Sequence, residues 1–267
     1  MTDVLLNKVS VCVITGPTRG LGRSMAHQFS RKLPKGSLFI LLSRNQPLLD
    51  SAADMVLENE GIRAVTGILD QQGSDQGVFD NILQDCLARA KADVAEFEQA
   101  ILVNNAGSLE PLEFVRDLDN VNIISSYFNT NLTGCIALTS KFLQIFKSSI
   151  LKSRVIINIS SLAAISPMKS WLLYCMAKSA RDIMMKVVAE EEENIRTLNY
   201  APGPLVTDMT DIACQNTKDM DLRHWFEEQV RKKSLVECDA SVQKLVTILQ
   251  QNTFENGAHM DYFDEIN

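Results

Sequence analysis

Short apolar runs alternate with longer segments of helical periodicity along most of this chain. The runs are rich in β-branched residues and bounded by polar ones, as expected of strands buried on both faces of a parallel sheet. The predicted strands are residues 9–15, 37–42, 63–69, 100–103, 155–159, 195–200 and 257–264. Predicted helices lie at about 20–33, 47–60, 74–95, 125–148, 171–187 and 239–251. This alternation predicts an α/β fold, a doubly wound parallel sheet of about seven strands with helices on both faces.

One segment lacks this periodicity. Residues 208–233 are polar and irregular, and rich in Met, Asp and Lys. Insertions beyond the carboxyl ends of the strands of α/β folds often close over a ligand. We therefore predict a mobile substrate lid at about 204–234.

Length and composition favour one domain. The 267 residues are 46% hydrophobic, enough for a large core, and no Pro/Gly/Ser-rich linker or repeat divides them. The formal net charge of −7 argues against a nucleic-acid partner or an anionic membrane, which would favour a basic patch. We expect a single domain spanning residues 1–267.

The cysteines and histidines predict neither disulfides nor a metal site. The six cysteines are scattered without a CxxC pair, and the three histidines lie far apart. The first residues carry no basic segment followed by a long apolar stretch, and no apolar run approaches 18 residues. We expect a cytoplasmic protein with reduced thiols.

A glycine-rich turn follows the first predicted strand and opens the first helix. It reads Gly16-Pro-Thr-Arg-Gly-Leu-Gly22. Glycines let the backbone approach a pyrophosphate, which binds at the helix N-terminus where free N–H groups point at it. The strand, turn and helix together predict a Rossmann-type dinucleotide site.

The residues after the second predicted strand bear on the choice of cofactor. An enzyme that uses NAD places an acidic residue about 20 residues beyond the glycine turn, whereas an arginine there suits the 2′-phosphate of NADP. The sequence has Arg44 followed by Asn45, and Arg19 in the turn offers a second positive charge. We predict that the cofactor is NADPH/NADP+. The alternative is that either arginine is an ordinary solvated surface residue.

A candidate catalytic group follows the strand at 155–159. Ser160 and Ser161 lie at the strand end, and Tyr174 and Lys178 share one face of the next helix, about one turn apart. An ammonium beside a phenol favours the phenolate, so we expect Lys178 to lower the pKa of Tyr174. Tyr174 would then act as a general acid, with a serine hydroxyl on the substrate oxygen.

The serine, the Tyr-x-x-x-Lys pair and the glycine turn resemble the short-chain dehydrogenase/reductase family. The resemblance implies that Ser161, or its neighbour Ser160, polarises a carbonyl, that Tyr174 donates the proton and that Lys178 holds the nicotinamide ribose. It also implies that the helix is locally opened at Asn131. Asn131 would hold a water that links Lys178 to solvent, and would so complete a catalytic tetrad. The cofactor contacts implied by position are Gly16, Thr18, Arg19, Gly20, Leu21, Gly22, Arg44, Asn45, Asp70, Asn105, Ala106, Gly107, Tyr174, Lys178, Pro202, Gly203 and Thr207.

Longer stretches resemble the members of this family that reduce pterins. They include NNAGSL, NISSLAA, LNYAPGPLVTDM and the ending GAHMDYFD. The resemblance implies reduction of pterin side-chain ketones in tetrahydrobiopterin biosynthesis by a cytosolic homodimer. It places the substrate on Ser161, Tyr174, Gly203 and Asp261, with Asp264 as the other candidate for the aspartate that anchors the pterin ring.

Two other functions remain open from the sequence. One is reduction of diketones, steroids or quinones on the same fold, since a fold hosts many substrates. The other is a sensor or scaffold protein that binds NADPH without catalysis. The paired acid and ammonium argue against the second, because a protein without catalytic activity needs neither.

Overall fold

The computed structural model describes residues 4–71 and 76–266. Its centre is a sheet of seven strands in the order β3-β2-β1-β4-β5-β6-β7, with every neighbouring pair parallel. The strands are β1 Ser10–Thr15, β2 Leu38–Ser43, β3 Arg63–Ile68, β4 Gln99–Asn104, β5 Ser153–Ile159, β6 Ile195–Ala201 and β7 His259–Asp261. The fold class predicted from the sequence is confirmed, although β7 is shorter than the predicted strand.

Helices cover both faces of this sheet. They are α1 Gly20–Ser30, α2 Gln46–Leu57, α3 Gln76–Arg89, α4 Val121–Phe128, α5 Gly134–Ile145, α6 Leu172–Glu191, α7 Asp208–Asn216, α8 Met220–Lys232 and α9 Cys238–Gln251. None of the helices in the described ranges is both long and apolar enough to cross a membrane.

Successive strand residues pack into two separate cores, one on each face. On β1, Cys12 and Ile14 face the core built with α1, α2 and α9, while Val11 and Val13 face the core built with α3, α5 and α6. This two-sided burial explains why the strands are apolar without interruption, instead of alternating with polar residues.

The order of the strands reverses at β1, which lies between β2 and β4. In open α/β sheets, ligands bind beyond the carboxyl ends of the strands at such a switch point. The carboxyl ends of β1 and β4 therefore mark the expected cofactor position, next to the turn that begins at Gly16.

The structure corrects two predicted helices. The helix predicted at 125–148 is α4 and α5, joined by a π-helical segment at Asn129–Thr133. The helix predicted at 74–95 ends at Arg89, and a short 3-10 turn follows at Val94–Glu96. Its predicted start at Ser74 lies outside the described residues.

The predicted irregular segment at 208–233 is also wrong, because α7 and α8 account for most of it. The Asp219 side chain accepts a hydrogen bond from the Leu222 backbone N–H at 3.0 Å and so caps α8. Phe226 is buried against Trp171, which precedes α6. The cap stabilises α8, and both helices contribute to one small apolar cluster, through Ala213, Phe226, Met209, Ile212 and Leu222.

Candidate active site

The glycine turn has the backbone shape that its sequence predicts. Gly16 and Gly20 have φ values of +64° and +51°, which side chains disfavour. A Cβ atom on Gly22 would lie 2.0 Å from the Gly16 carbonyl oxygen, so the start of α1 packs against the turn only with glycine there. The N-cap Arg19 makes no side-chain cap, which leaves the first N–H groups of α1 available to an anion.

The turn is held by the loop after β4. The Thr15 hydroxyl accepts hydrogen bonds from the backbone N–H groups of Asn105 and Ala106, both at 3.0 Å. The Asn105 side-chain amide donates to the carbonyl oxygens of Thr15 and Gly16, at 2.9 and 3.1 Å. Asn105 therefore holds the glycine turn in place. The sequence analysis predicted Asn105 only as a cofactor contact.

One cavity of about 1270 Å³ connects the predicted residues. It runs from Arg44 at the end of β2, past Tyr174, to Asp261 at the end of β7. Of the predicted catalytic, cofactor and substrate residues, Asn131 alone does not line it. The structure thus brings together the groups that the sequence placed at separate strand ends.

Arg19 and Arg44 lie differently in this cavity. Both are exposed, but the Arg19 guanidinium forms an ion pair with Asp208, the first residue of α7. Asn45 accepts a hydrogen bond from the Leu48 backbone N–H at 3.1 Å and caps α2. The ion pair between the glycine turn and α7 and the cap at Asn45 were both missed from the sequence.

Tyr174 and Lys178 lie side by side on α6, and both are more than nine-tenths buried. The Lys178 ammonium donates to the Ile159 carbonyl oxygen at 2.6 Å and lies 5.5 Å from the centre of the Tyr174 ring. The Ser161 hydroxyl forms a hydrogen bond with Tyr174 that lowers the tyrosine pKa, and it also accepts from the Ala163 backbone N–H at 3.2 Å. The contact with Tyr174 favours Ser161 over Ser160 for the serine role.

The expected lowering of the Tyr174 pKa is wrong in sign. Burial raises the pKa of Tyr174, and the hydrogen bond from Ser161 and the charge of Arg181 offset this only in part. Burial and the nearby Arg181 also lower the pKa of Lys178 to about 7. Arg181 is a buried, charged neighbour of the site that the sequence reasoning missed, although an Arg-Asp pair within an apolar helix is a signal for it.

Asn131 lies in the π-helical segment, so the locally opened helix expected at this position is present. Its side-chain amide donates to the Tyr127 carbonyl oxygen at 3.0 Å and to the Ser108 hydroxyl at 3.1 Å. Its side-chain oxygen accepts from the Ser108 backbone N–H at 2.7 Å. These bonds hold the loop after β4, and a Cβ on Gly107 would meet the Asn131 oxygen at 3.0 Å.

The two candidate anchor aspartates have different surroundings. An Asp264 carboxylate oxygen accepts from the Asp261 backbone N–H at 2.7 Å, which closes the turn after β7. Asp261 accepts through Oδ1 from the Phe263 backbone N–H at 3.0 Å. The backbone at Gly203 has φ +77°, and a Cβ there would lie 3.5 Å from the Phe263 ring. Both aspartates line the cavity, as do Pro202 and Gly203.

Aromatic residues connect the catalytic helix with α8. The Trp171 ring stacks on Phe226, with centroids 5.3 Å apart and planes at 17°, and it meets Tyr174 edge-on at 5.6 Å. The Trp171 indole N–H donates to the Thr217 hydroxyl at 3.1 Å. The segment that we predicted as a lid is therefore packed beside Tyr174.

Metal-binding clusters are absent among the described residues, since no three His, Cys, Asp or Glu side chains converge. The chemistry that the cavity can perform is proton donation by a phenol and hydrogen bonding by a serine hydroxyl. A dinucleotide fits the uncapped start of α1 and the glycine turn, so the cavity can accept both a cofactor and a carbonyl substrate.

Comparison with known proteins agrees with this geometry. The family model for short chain dehydrogenase matches residues 10–218. Over 260 residues the chain is 38% identical to sepiapterin reductase from Bos taurus, covering 96% of this chain and 95% of that protein. It is 26% identical to benzil reductase ((S)-benzoin forming) from Bacillus subtilis (strain 168), covering 93% of this chain and 96% of that protein.

The fold also matches solved structures. The crystal structure of the KRED1-Pglu enzyme superimposes with a TM-score of 0.79 at 23% identity, over 94% of this chain and all of that one. Together with the glycine turn and the Ser161, Tyr174 and Lys178 arrangement, these matches identify the chain as an oxidoreductase that belongs to the short-chain dehydrogenase/reductase family.

Proposed function

We propose that this protein is an NADPH-dependent carbonyl reductase that reduces side-chain ketones of pterins, such as sepiapterin and 6-pyruvoyl-tetrahydropterin, in tetrahydrobiopterin biosynthesis. The observation that carries the proposal is the continuous cavity from Arg44 through Tyr174 to Asp261. It offers a dinucleotide site and an anchor for a ring at opposite ends, with the proton donor between them. The similarity to sepiapterin reductases over nearly the whole chain supports the same assignment.

The cofactor would lie along the glycine turn and the carboxyl ends of β1 and β4. The N–H groups at the start of α1 would hold its pyrophosphate, and Asp70 would lie near its adenine. When bound, reduced nicotinamide supplies a hydride to the carbonyl carbon. Pro202, Gly203 and Thr207 line the same cavity and would contact the nicotinamide end.

NADPH is favoured over NADH by charge. Arg44 is exposed at the edge of the cavity, where an acidic residue would repel a 2′-phosphate. Arg19 offers a second cation, although it is paired with Asp208. A guanidinium is well suited to a phosphate because its N–H groups match two phosphate oxygens.

Ser161 and Tyr174 would act on the ketone oxygen. The Ser161 hydroxyl would hydrogen-bond that oxygen, and the Tyr174 hydroxyl would give it a proton as the carbonyl becomes an alcohol. The Tyr174 phenol carries its proton at neutral pH, as a general acid must, and burial raises its pKa, which makes it a weaker acid than a free tyrosine. Lys178 would hold the nicotinamide ribose, and Asn131 would complete the tetrad by holding the loop at Ser108.

Asp261 would fix the pterin ring. A carboxylate grips an amino-pyrimidine through paired hydrogen bonds, and such positioning lowers the entropy cost of reaching the reactive geometry. We take Asp261 as the anchor from the family resemblance and keep Asp264 as the other candidate, since each carboxylate accepts one backbone hydrogen bond. The helices α7 and α8 would form a lid at about 204–234 on the one domain of residues 1–267.

We further propose a cytoplasmic homodimer. The outer face of α6 exposes Met176, Ile183 and Val187, which helical spacing puts in one stripe. Ile136 of α5 is also exposed. A second copy of the chain would cover this apolar face, as the family resemblance implies.

Diketone reduction is the second candidate, favoured by the similarity to benzil reductase. The test is NADPH oxidation by the purified protein with sepiapterin, with benzil and with butane-2,3-dione, repeated with NADH. Turnover of sepiapterin with NADPH well above that of the diketones supports the pterin proposal. Turnover of the diketones alone would replace it with a general diketone reductase. A sensor or scaffold role is disfavoured by the membership in an oxidoreductase family.

A further inference from the structure

A buried pair of a carboxylate and an imidazole lies next to the proposed catalytic group but outside it. Asp182 is on α6, two turns beyond Tyr174, and His259 is the first residue of β7. Asp182 Oδ2 lies 2.6 Å from His259 Nδ1. The Asp182 and His259 side chains are only 9% and 13% exposed, so the pair is largely shielded from water.

Both partners are oriented by their surroundings. The second carboxylate oxygen of Asp182 accepts from the Asn158 side-chain amide at 3.1 Å, and Asn158 accepts from Arg181 Nε at 2.8 Å. Because Nδ1 of His259 faces a carboxylate, that nitrogen carries the proton. The other ring nitrogen, Nε2, is buried without a hydrogen-bond partner among the described residues. His259 also lines the cavity.

The strand that carries His259 is joined to β6 by backbone hydrogen bonds, from the Asn199 N–H to the Ala258 carbonyl oxygen at 2.9 Å and from the Tyr262 N–H to the Ala201 carbonyl oxygen at 2.8 Å. β7 is three residues long, lies at the edge of the sheet and pairs with β6. Asp261 is two residues after His259, and residues two apart on a strand point to the same face. Pairing with β6 fixes one side of β7, and the Asp182–His259 pair adds a direct side-chain link from β7 to α6, the helix that carries Tyr174.

We propose that Asp182 and His259 are positioning residues, which fix the substrate-binding end of β7 to the catalytic helix and so set the place of Asp261 relative to Tyr174. The inference deepens the proposed function and rests on Asp261 as the pterin anchor. Neither side chain takes part in proton or hydride transfer. Loss of the pair should therefore weaken the grip on the pterin ring more than the chemistry at a carbonyl.

The test uses two variants of His259 that differ in one hydrogen bond. His259→Leu removes the ring nitrogens, whereas His259→Asn places an amide N–H close to where Nδ1–H stood and keeps the bond to Asp182. KM and kcat are measured for sepiapterin and for butane-2,3-dione, with His27→Leu, a histidine of α1 away from the cavity, as the control. Binding of NADPH to each variant reports whether the cofactor half is intact.

His259→Leu should raise KM for sepiapterin by about tenfold more than KM for the diketone, a difference of about 1.4 kcal/mol in binding. His259→Asn should restore KM to within about threefold of the wild type, and His27→Leu should match the wild type. The double variant His259→Leu/Asp261→Ala should be no worse than Asp261→Ala, because the pair acts through that anchor.

The inference would be overturned if His259→Leu raised KM equally for both substrates, or if His259→Leu and His259→Asn raised KM for sepiapterin equally. It would also be overturned if the effects of the two substitutions in the double variant were additive. If His259→Leu does not fold, Asp182→Ala tests the same link, since it removes both carboxylate oxygens. Failure of the proposed function has a different signature, because the wild type itself would then fail to turn over sepiapterin. That result would also remove the pterin anchor on which the inference rests.

Discussion

The ammonium nitrogen of Lys178 lies 5.5 Å from the centre of the Tyr174 ring and within 2.6 Å of the Ile159 carbonyl oxygen. The lysine is thus held beside the phenol by the last residue of β5. Burial raises the pKa of Tyr174 and lowers that of Lys178. The site therefore favours a neutral phenol next to an amine that loses its proton more readily than a free lysine does. Tyr174 therefore carries the proton that a general acid needs, and its raised pKa makes release of that proton harder than from a free tyrosine.

Tyr174→Phe should reduce kcat by roughly 10²–10⁴-fold, because it removes the proposed general acid and little else. The ring stays in place to pack against Trp171. NADPH affinity, measured by fluorescence titration, should stay close to that of the wild type. Turnover near the wild-type rate would exclude Tyr174 as the proton donor.

Lys178 predicts a pH dependence of stability. Its folded pKa of about 7 lies below the ordinary value of 10.5, so between these values the unfolded chain binds more protons than the folded one. The contribution of this group to the free energy of unfolding therefore rises with pH across that window. Below pH 7 the penalty for the buried charge is fully present.

The measurement is urea unfolding of the wild type and Lys178→Met, both without cofactor, at pH 7 and pH 9. The wild type should gain roughly 1–3 kcal/mol relative to the variant over this range, since one proton contributes up to about 1.4 kcal/mol per pH unit. Other titrating groups are common to both proteins and cancel. A constant difference between the two would contradict the lowered lysine pKa.

Arg44→Ala should raise KM for NADPH by roughly tenfold and leave KM for NADH unchanged, because only NADPH carries a 2′-phosphate for the guanidinium. Arg31→Ala is the matched control, as Arg31 follows α1 and does not line the cavity. Steady-state kinetics with each cofactor gives the comparison. An equal rise in KM for NADPH and for NADH would mean that Arg44 does not bind the 2′-phosphate.

Phe226→Ala should detach α8 from the catalytic helix, since it removes the ring stacked on Trp171. We expect a loss of roughly 2–4 kcal/mol in unfolding free energy and a higher KM for sepiapterin. Trp225→Ala is the adjacent control, because Trp225 is 43% exposed and its loss should cost less stability. Similar losses in both variants would argue against Phe226 as the contact that docks the lid.

Ile183→Asp should convert the proposed homodimer to a monomer, because a carboxylate cannot be buried unpaired in an apolar interface. Ile183 is 58% exposed, so the folded chain itself should tolerate the change. Light scattering after size-exclusion chromatography gives the mass. The neighbouring exposed Lys186→Asp serves as a charge control, and a wild type that is already monomeric would refute the dimer.

The sequence predicted the features that depend on local patterns. The strands are continuous apolar runs because both faces of the sheet are covered, and the turn from Gly16 to Gly22 needs glycine for close packing. Tyr174 and Lys178 share a face because helical spacing requires it. These properties follow from neighbours along the chain.

The missed features depend on partners that are distant in sequence. Asp182 and His259 are 77 residues apart, and the ion pair between Arg19 and Asp208 spans 189. The sign of the Tyr174 pKa was missed because burial depends on how the helices pack, which a local motif does not report. The helices α7 and α8 were missed because α7 has no side-chain cap and because their apolar residues lie in one cluster with Leu109, Leu112 and Trp171, which are distant along the chain.

The place of β1 in the sheet has a consequence for folding. The Thr15 hydroxyl at its carboxyl end bonds to the Val103 carbonyl oxygen, 88 residues away, and β1 pairs with β4 along its length. Closing so long a loop lowers the chain entropy before stabilising contacts can form, so this pairing should form slowly. The dinucleotide site lies at the same junction. Cofactor binding should therefore appear late in refolding and report that both halves of the sheet have joined.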